Sequence, residues 1–394
     1  MPWKATNSMD ERAKLVHWYE TGKYTIKELA VLFEVSRKTV YKWLGRYEAA
    51  GLEGLTDHSR APLRHPNAVP PAVVAAVVAA KRAHPTWGPV KLLPPAEAPD
   101  DLAAAWPAVS TRAALLDRYG LVQRRRHRRR AVPTAPPLTV AMAPNDVWCT
   151  DFKGWFRTGD GHRCDPSTVQ DAYSRMLLGC DVVARPDAQH VRPIFERLFR
   201  TFGLPLAIRS DNGPPYASVG VGGLTVLAVW WVKLGIRLER IAPGHPEQNG
   251  RLERLHRTLK AECCQPPAAT LLRQQQRFDG WRPVYNTERP HAALGNVPPA
   301  TLYTPSLRPF PTRLEDPQYA AATAVRRVRS NGQIRWQGGL VYVSEALVGE
   351  AVGLNETATG WSVHFGPMDL GLVDPQGERV VHHPDRGPKR ERKA

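Results

Sequence analysis

Cysteine is scarce in this 394-residue chain, and the five present, at positions 149, 164, 180, 263 and 264, form no paired framework. A bridge between adjacent Cys263 and Cys264 would be strained, so a reducing, cytosolic setting is expected rather than a disulfide-stapled one. Long hydrophobic runs are also missing. The longest, 72–80 and 224–232, fall well short of the roughly 20 residues that span a bilayer, and no charged-then-apolar signal opens the chain. A soluble protein with no membrane partner is expected. Acidic residues are in deficit, with 37 Asp/Glu against 54 Lys/Arg, a net charge of +17 and a pI near 9.9. Such an imbalance points to a polyanionic partner. What the chain does have is apolar content, 42%, enough for several cores, and a length that suggests two to four domains.

The basic excess is concentrated at the amino end: residues 1–143 hold 22 Lys/Arg against 12 Asp/Glu, residues 144–305 hold 20 against 15, and residues 306–394 hold 12 against 10. Residues 10–50 read as three short helices. Thr25-Ile26-Lys27-Glu28 is a capping box that opens the second, and Ser36 caps a third with Val40, Trp43, Leu44 and Tyr47 on one side. Its other side presents Arg37, Lys38, Tyr41, Lys42 and Arg46, the polar, basic face of a helix that enters a DNA major groove. Residues 1–55 are therefore expected to form a helix-turn-helix domain. A second helical unit, 63–123, follows. Its last helix is capped by Ser110 and ends at Gly120, and Pro94-Pro95 must stop the middle helix near Leu93, because an interior proline costs about 3 kcal/mol. Residues 124–143 begin with Arg124, Arg125, Arg126, Arg128, Arg129 and Arg130, a phosphate-binding arm, and continue as a Pro-rich linker.

The central stretch carries three acids in separate settings. Asp151 closes the apolar lead-in Val147-Trp148-Cys149-Thr150 and reads as an acid on a buried strand. Asp211 ends the run from Leu206 to Ser210 and opens Asn212-Gly213-Pro214-Pro215, placing it at a strand's carboxyl end, where open α/β sheets collect ligands. Glu253 lies where turn residues give way to a helix with Leu252, Leu255 and Leu259 at helical spacing. Arg257 and Lys260 follow one and two turns along its polar side. Three converging carboxylates repel one another unless a cation neutralises them, and Mg²⁺ suits their hard oxygens. Two such ions can serve phosphoryl transfer. Each acid alone also reads as a turn, cap or solvated residue. Glu247 is a rival third ligand. His245, His256, Cys263 and Cys264 make a zinc set by count but match no familiar finger spacing.

This arrangement resembles the DDE transposases and retroviral-type integrases, in particular bacterial insertion-sequence transposases with an integrase catalytic core. The resemblance rests on Trp148-x-x-Asp151-Phe152, Asp171-Ala172-Tyr173-Ser174-Arg175, Ser210-Asp211-Asn212-Gly213, and Asn249-Gly250-x-x-Glu253-x-x-His256-Arg257-x-Leu259-Lys260, in the family's order. It implies an RNase H-like α/β core over 144–305, with Asp151, Asp211 and Glu253 as catalytic metal ligands for two Mg²⁺ (or Mn²⁺) ions. Asp171 belongs by this resemblance to a structural strand. The spacing of 42 between Asp211 and Glu253 exceeds the 35 or so typical of the family, and the surplus falls in the Gly-rich stretch 218–223. Tyr285 to Gly295 resembles the segment that closes such cores.

From about 320 the period changes to alternation. Segments near 324–330, 333–337, 340–344, 351–354, 361–365 and 370–373 read as short strands, with Asn331-Gly332 as a hairpin turn. A small all-β, SH3-like barrel is expected over 320–384 and a basic tail over 385–394. Together these imply a cytosolic, nucleoid-associated DNA transposase, acting on double-stranded DNA at element ends and target, as a homodimer or higher, with no small-molecule substrate. In it Arg257 and Lys260 would grip phosphates. The rival readings are a catalytically inactive DNA-binding regulator derived from a transposase, and a nuclease that cuts without joining.

Overall fold

The structure is a computed structural model that describes residues 7–59, 68–95, 97–122, 138–243 and 245–381. The arginine arm, including Arg124, Arg125, Arg126, Arg128, Arg129 and Arg130, and the basic tail lie outside the described residues. The chain divides into two compact units, residues 1–69 and 70–394.

The first unit contains α1 (Ser8–Glu20), α2 (Ile26–Leu32) and α3 (Arg37–Ala50). Each begins on a side-chain cap. The Asn7 side chain accepts from the Asp10 amide, Thr25 and Glu28 form the reciprocal capping box, and Ser36 Oγ accepts from the Thr39 amide at 3.1 Å. Leu15, Leu29, Ala30 and Val40 close one small core, and Val16, Trp43 and Leu55 a second. Arg12 clamps the end of the unit: its guanidinium lies 3.8 Å from the Trp43 ring centroid and donates to the Leu55 carbonyl and to Asp57. Gly54 is required there, because a Cβ would fall 2.1 Å from the Arg46 carbonyl oxygen.

The second unit opens with α4 (Pro71–Ala83), α5 (Asp100–Ala104) and α6 (Val109–Arg118). The middle helix is cut to a single 3-10 turn, Pro89–Lys91, ahead of Pro94-Pro95. The Leu92 carbonyl accepts instead from Trp106 Nε1 and Arg112 Nη1, both at 2.9 Å. Ser110 is not the cap expected from the sequence. Ala108 occupies that position with no side-chain bond, so α6 starts earlier without one, while Gly120 is left-handed (φ 66°) as expected. Val77, Trp87, Leu92 and Leu116 pack together with Val284 of the following core against them.

That core is a mixed sheet of β1 (Val147–Phe152), β2 (Phe156–Arg157), β3 (Arg163–Asp171), β4 (Leu177–Val183), β5 (Ala207–Ser210) and β6 (Arg237–Arg240). Strands β1, β3 and β4 form the antiparallel meander, with β2 extending the β1 side. β5 and β6 run parallel to β1. Strand alternation sends Trp148 to one face and Val147 and Cys149 to the other. On the first face lie α7 (Ala188–Phe202) and α8 (Val226–Lys233), packed through Phe195, Phe199, Trp230 and Trp231. On the second lie α9 (Gly250–Cys263) and α10 (Leu271–Pro283), through Leu252, Leu255, Leu259 and Phe278. The result is a helix-sheet-helix sandwich of RNase H type.

The carboxyl-terminal strands are β7 (Ala324–Arg327), β8 (Gln333–Trp336), β9 (Gly339–Tyr342), β10 (Ala351–Thr357), β11 (Gly360–Phe365), β12 (Met368–Val373) and β13 (Val380–Val381). They pair as an antiparallel sheet, β13-β12-β11-β10-β7, and a separate β8-β9 ribbon. The expected barrel is therefore not closed by strand pairing among the described residues. The turn at Asn331-Gly332 is present, with Gly332 at φ 76°, but it carries the chain from sheet to ribbon. The two-stranded hairpin is made at Gln337-Gly338, both left-handed (φ 45° and 84°). Nor is this module free of the core. Val352, Leu354, Val363 and Phe365 share one apolar cluster with Ala228, Val229 and Val232 of α8. Lys233 donates to Glu350 at 2.8 Å and to Asp316 at 3.3 Å. The surplus Gly-rich stretch serves the same attachment. A Cβ on Gly222 would lie 3.1 Å from Leu370 and Met368, and Arg240 donates to the Gly222 and Gly223 carbonyls.

Candidate active site

Asp151 is the fifth residue of β1 and by alternation shares a face with Val147 and Cys149, the face covered by α9. Asp211 follows the last residue of β5, the strand hydrogen-bonded beside β1. Parallel pairing of β1 and β5 brings the two carboxyl ends, and so the two acids, to one sheet edge. Their electrostatics record this. Burial, then the neighbouring Asp211 and, more weakly, Glu253 push the Asp151 carboxyl up to about 7. Burial raises Asp211 as well, against the Gly213 amide that holds it down. Asp211 Oδ1 is buried with no hydrogen-bond partner. Two desolvated carboxylates, one with an orphaned oxygen, at the ends of β1 and β5 are hard oxygen donors of the kind that suits a divalent cation.

Glu253 sits in the first turn of α9, exposed, with Arg257 and Lys260 also exposed further along. Leu252, Leu255 and Leu259 are buried, so hydrophobic spacing turns Glu253 outward from the core. Its charge reaches Asp151 as the weakest of that group's influences. Among the described residues no group of three or more His, Cys, Asp or Glu stands in metal-holding geometry. The structure thus brings Asp151 and Asp211 together and leaves Glu253 at the margin. The side chain of Glu247, the rival ligand, lies outside what the structure describes.

His256, one turn beyond Glu253 in the same motif and a member of the discounted zinc set, makes contacts that neither reading anticipates. Its Nε2 is 2.7 Å from Thr168 Oγ1, which itself donates to the Asp151 carbonyl at 3.1 Å, and its Nδ1 is 4.0 Å from Asp151 Oδ2. The Thr168 hydroxyl thus bridges the His256 ring and the Asp151 backbone, the direction of the 2.7 Å bond being set by the ring's tautomer. Burial, assisted by Lys153, lowers His256 to about 4, so it is neutral. The Glu253-x-x-His256 motif gives its position on the helix but not its partner. Its strand partner is 88 residues away. Asp171 plays another part: buried, it accepts from the Asn145 and Ser174 amides and from Ser174 Oγ, bracing the β3–β4 turn.

In the first unit Arg37, Lys38, Tyr41 and Lys42 are exposed on α3, while Arg46 is half-buried. Lys42 and Arg46 lie 4.8 and 5.0 Å from the Trp43 ring centroid, so part of the expected DNA face is folded back onto that indole. A cavity of about 780 Å³ lined by Trp336 and Trp361 occurs in the carboxyl-terminal sheets, and none of the three acids lines it. Asp374 is the one acid among its described lining residues.

Residues 141–246 and 234–299 match integrase core domain families, residues 11–62 a helix-turn-helix domain and residues 39–100 a homeodomain-like domain. The chain thus carries an integrase core domain, as members of the DDE transposase/integrase superfamily do. It is 30% identical over 180 residues to an uncharacterised 39.2 kDa protein of insertion element IS476 from Xanthomonas euvesicatoria, covering 45% of this chain and 50% of that one. It is 31% identical over 183 residues to an uncharacterised 31.7 kDa protein of insertion element IS407 from Burkholderia multivorans, covering 46% and 64%. The chain thus spans between half and two thirds of these relatives. Among solved structures, the HTLV-2 integrase catalytic core domain in complex with magnesium aligns at 14% identity and a TM-score of 0.34, covering 42% of this chain and all of that one. No helix among the described residues is long and apolar enough to cross a membrane.

Proposed function

We propose that this protein is an insertion-sequence transposase that binds the terminal repeats of its element, cuts the element's ends and joins the freed 3′-hydroxyl to target DNA. The observation that carries the reading is the pair of desolvated carboxylates at one sheet edge, with the Asp211 oxygen left unpartnered. Asp151, Asp211 and Glu253 would hold divalent cations there, Mg²⁺ or Mn²⁺, two being the number that suits an in-line displacement. When bound, such ions activate the attacking oxygen and stabilise the leaving one.

The chain's own residues supply the rest. Neutral His256 and Thr168 hold the Asp151 backbone and set the face its carboxyl presents. Arg257 and Lys260, exposed beside Glu253, bind phosphates flanking the reacting one. Arg37, Lys38, Tyr41, Lys42 and Arg46 read the terminal repeat in the major groove, with the arginine arm from Arg124 to Arg130 adding phosphate contacts. The relevant domains are 1–55, 63–123, 124–143, 144–305, 320–384 and 385–394. Joining two ends calls for at least a homodimer on DNA, in the cytosol, and the carboxyl-terminal sheets serve as the SH3-like element of that assembly.

The test is cleavage and joining of DNA carrying the sequences that flank the gene, with Mg²⁺, by the wild type and by Asp211→Asn. Joined product from the wild type alone supports the proposal. Tight binding by both without product supports a retired, DNA-binding regulator instead, and cutting without joining supports a nuclease.

A further inference from the structure

Immediately beyond Asp151 the chain leaves β1, turns at left-handed Gly154 (φ 86°) and enters the short β2. Trp155, at that turn, is 57% exposed, and no other described tryptophan exceeds 38%. Elsewhere the core hides its indoles: Trp148, Trp230 and Trp231 are all buried. The Trp155 ring joins no apolar cluster of the core, and its neighbours are cations instead.

The cations around it are arranged rather than scattered. Arg163 and Arg157 lie 5.3 and 5.9 Å from the Trp155 ring centroid. Asp165 fixes Arg163 through Nε at 2.6 Å and Nη2 at 3.1 Å, and the Gly161 carbonyl fixes Arg157 at 2.7 Å. Lys153 lies 5.3 Å from the Phe156 ring centroid and is close enough to His256 to depress its basicity. Of the nearby acids, Asp165 is buried against Arg163, and Asp160 is bound by Thr158 and His162. The outward face is cationic and aromatic together.

We propose that Trp155 is a stacking platform for an unpaired base of the DNA strand that runs past Asp151, with Lys153, Arg157 and Arg163 holding its phosphates. This rests on the reading of the site as a DNA-processing centre. Phosphates alone would need only the cations. An exposed indole adds something a fully paired duplex cannot use, since each inner base already has both faces covered by its neighbours. Four residues of extended chain reach at most about 13 Å from Asp151. At about 3.4 Å per stacked nucleotide the ring serves a base within roughly four nucleotides of the reacting phosphate.

The experiment uses the full chain in EDTA, with DNA ends carrying 2-aminopurine at each of those positions, in paired and mismatched versions. Wild-type protein is expected to quench the probe at one position of the mismatched end. Trp155→Ala should lose that quench and bind the mismatched end roughly 5- to 100-fold more weakly, while affinity for the paired end changes less than twofold. Trp155→Phe should keep most of both. Arg157→Gln with Arg163→Gln should weaken both ends alike and flatten the salt dependence by about two counterions. If a wild type that joins strands in Mg²⁺ is matched by Trp155→Ala in quench and affinity, the platform is overturned while the enzyme reading stands. A wild type that binds neither DNA withdraws both.

Discussion

Replacing Asp151 by asparagine should stabilise the metal-free protein while abolishing its chemistry. A carboxyl moved from 3.8 to about 7 binds a proton in the native state over a range where the unfolded chain has released it. Stability is therefore lost as pH rises from about 4 to about 7, and the deficit is complete above that. The displacement corresponds to at most about 4 kcal/mol. Because 26% of the Asp151 side chain is exposed, water screens part of it, and about 1–3 kcal/mol is the expected effect. Asparagine keeps the shape and removes the charge. Urea unfolding in EDTA should find Asp151→Asn more stable than wild type by that amount at pH 8, with the difference vanishing near pH 4. Added Mg²⁺ should reverse the order at pH 8, since a ligand at 100 times its Kd adds about 2.7 kcal/mol to the form that binds it. An asparagine variant less stable than wild type at pH 8 in EDTA would refute the reasoning, because Asp151 would then be a satisfied structural acid.

Three further outcomes follow from the packing. Glu262 accepts from Trp281 Nε1 and Arg289 as well as from Thr86, tying the second helical unit to α9, so Glu262→Ala should destabilise the second unit by roughly 3–5 kcal/mol by leaving buried Arg289 uncompensated, read by thermal unfolding and by proteolysis within residues 70–122. Gly54→Ala should unfold the first unit alone, through its clash with the Arg46 carbonyl, and abolish DNA binding that depends on α3 without touching the far-ultraviolet signature of the core. Lys38→Ala with Lys42→Ala should weaken DNA binding across sequences and reduce the salt slope by about two, measured by titration at several ionic strengths.

The residues whose role is local were the legible ones. Thr25 and Glu28 cap each other within one turn, and Asp211 is announced by the strand before it and the turn after it. What stayed hidden depends on contacts between distant segments. His256 gains its meaning from Thr168 on another strand, and the carboxyl-terminal sheets are mounted on α8 through an apolar cluster that no local pattern describes. The Gln337-Gly338 hairpin was missed because glutamine is not a turn residue. Asn331-Gly332, a stronger turn signal, serves a different purpose. Barrel closure likewise depends on which edges pair, which alternation alone leaves open.

The central claim is that Asp151 and Asp211 hold a divalent cation and that Glu253, exposed on the first turn of α9, completes its shell. Anomalous diffraction from crystals of the full chain soaked in Mn²⁺ at pH 8 tests it most directly. The account predicts a peak bonded to Asp211 Oδ1 and an Asp151 oxygen, with the Glu253 carboxylate drawn in to the same ion or to a second one beside it. Empty density at that sheet edge, with Glu253 still facing solvent, would contradict it.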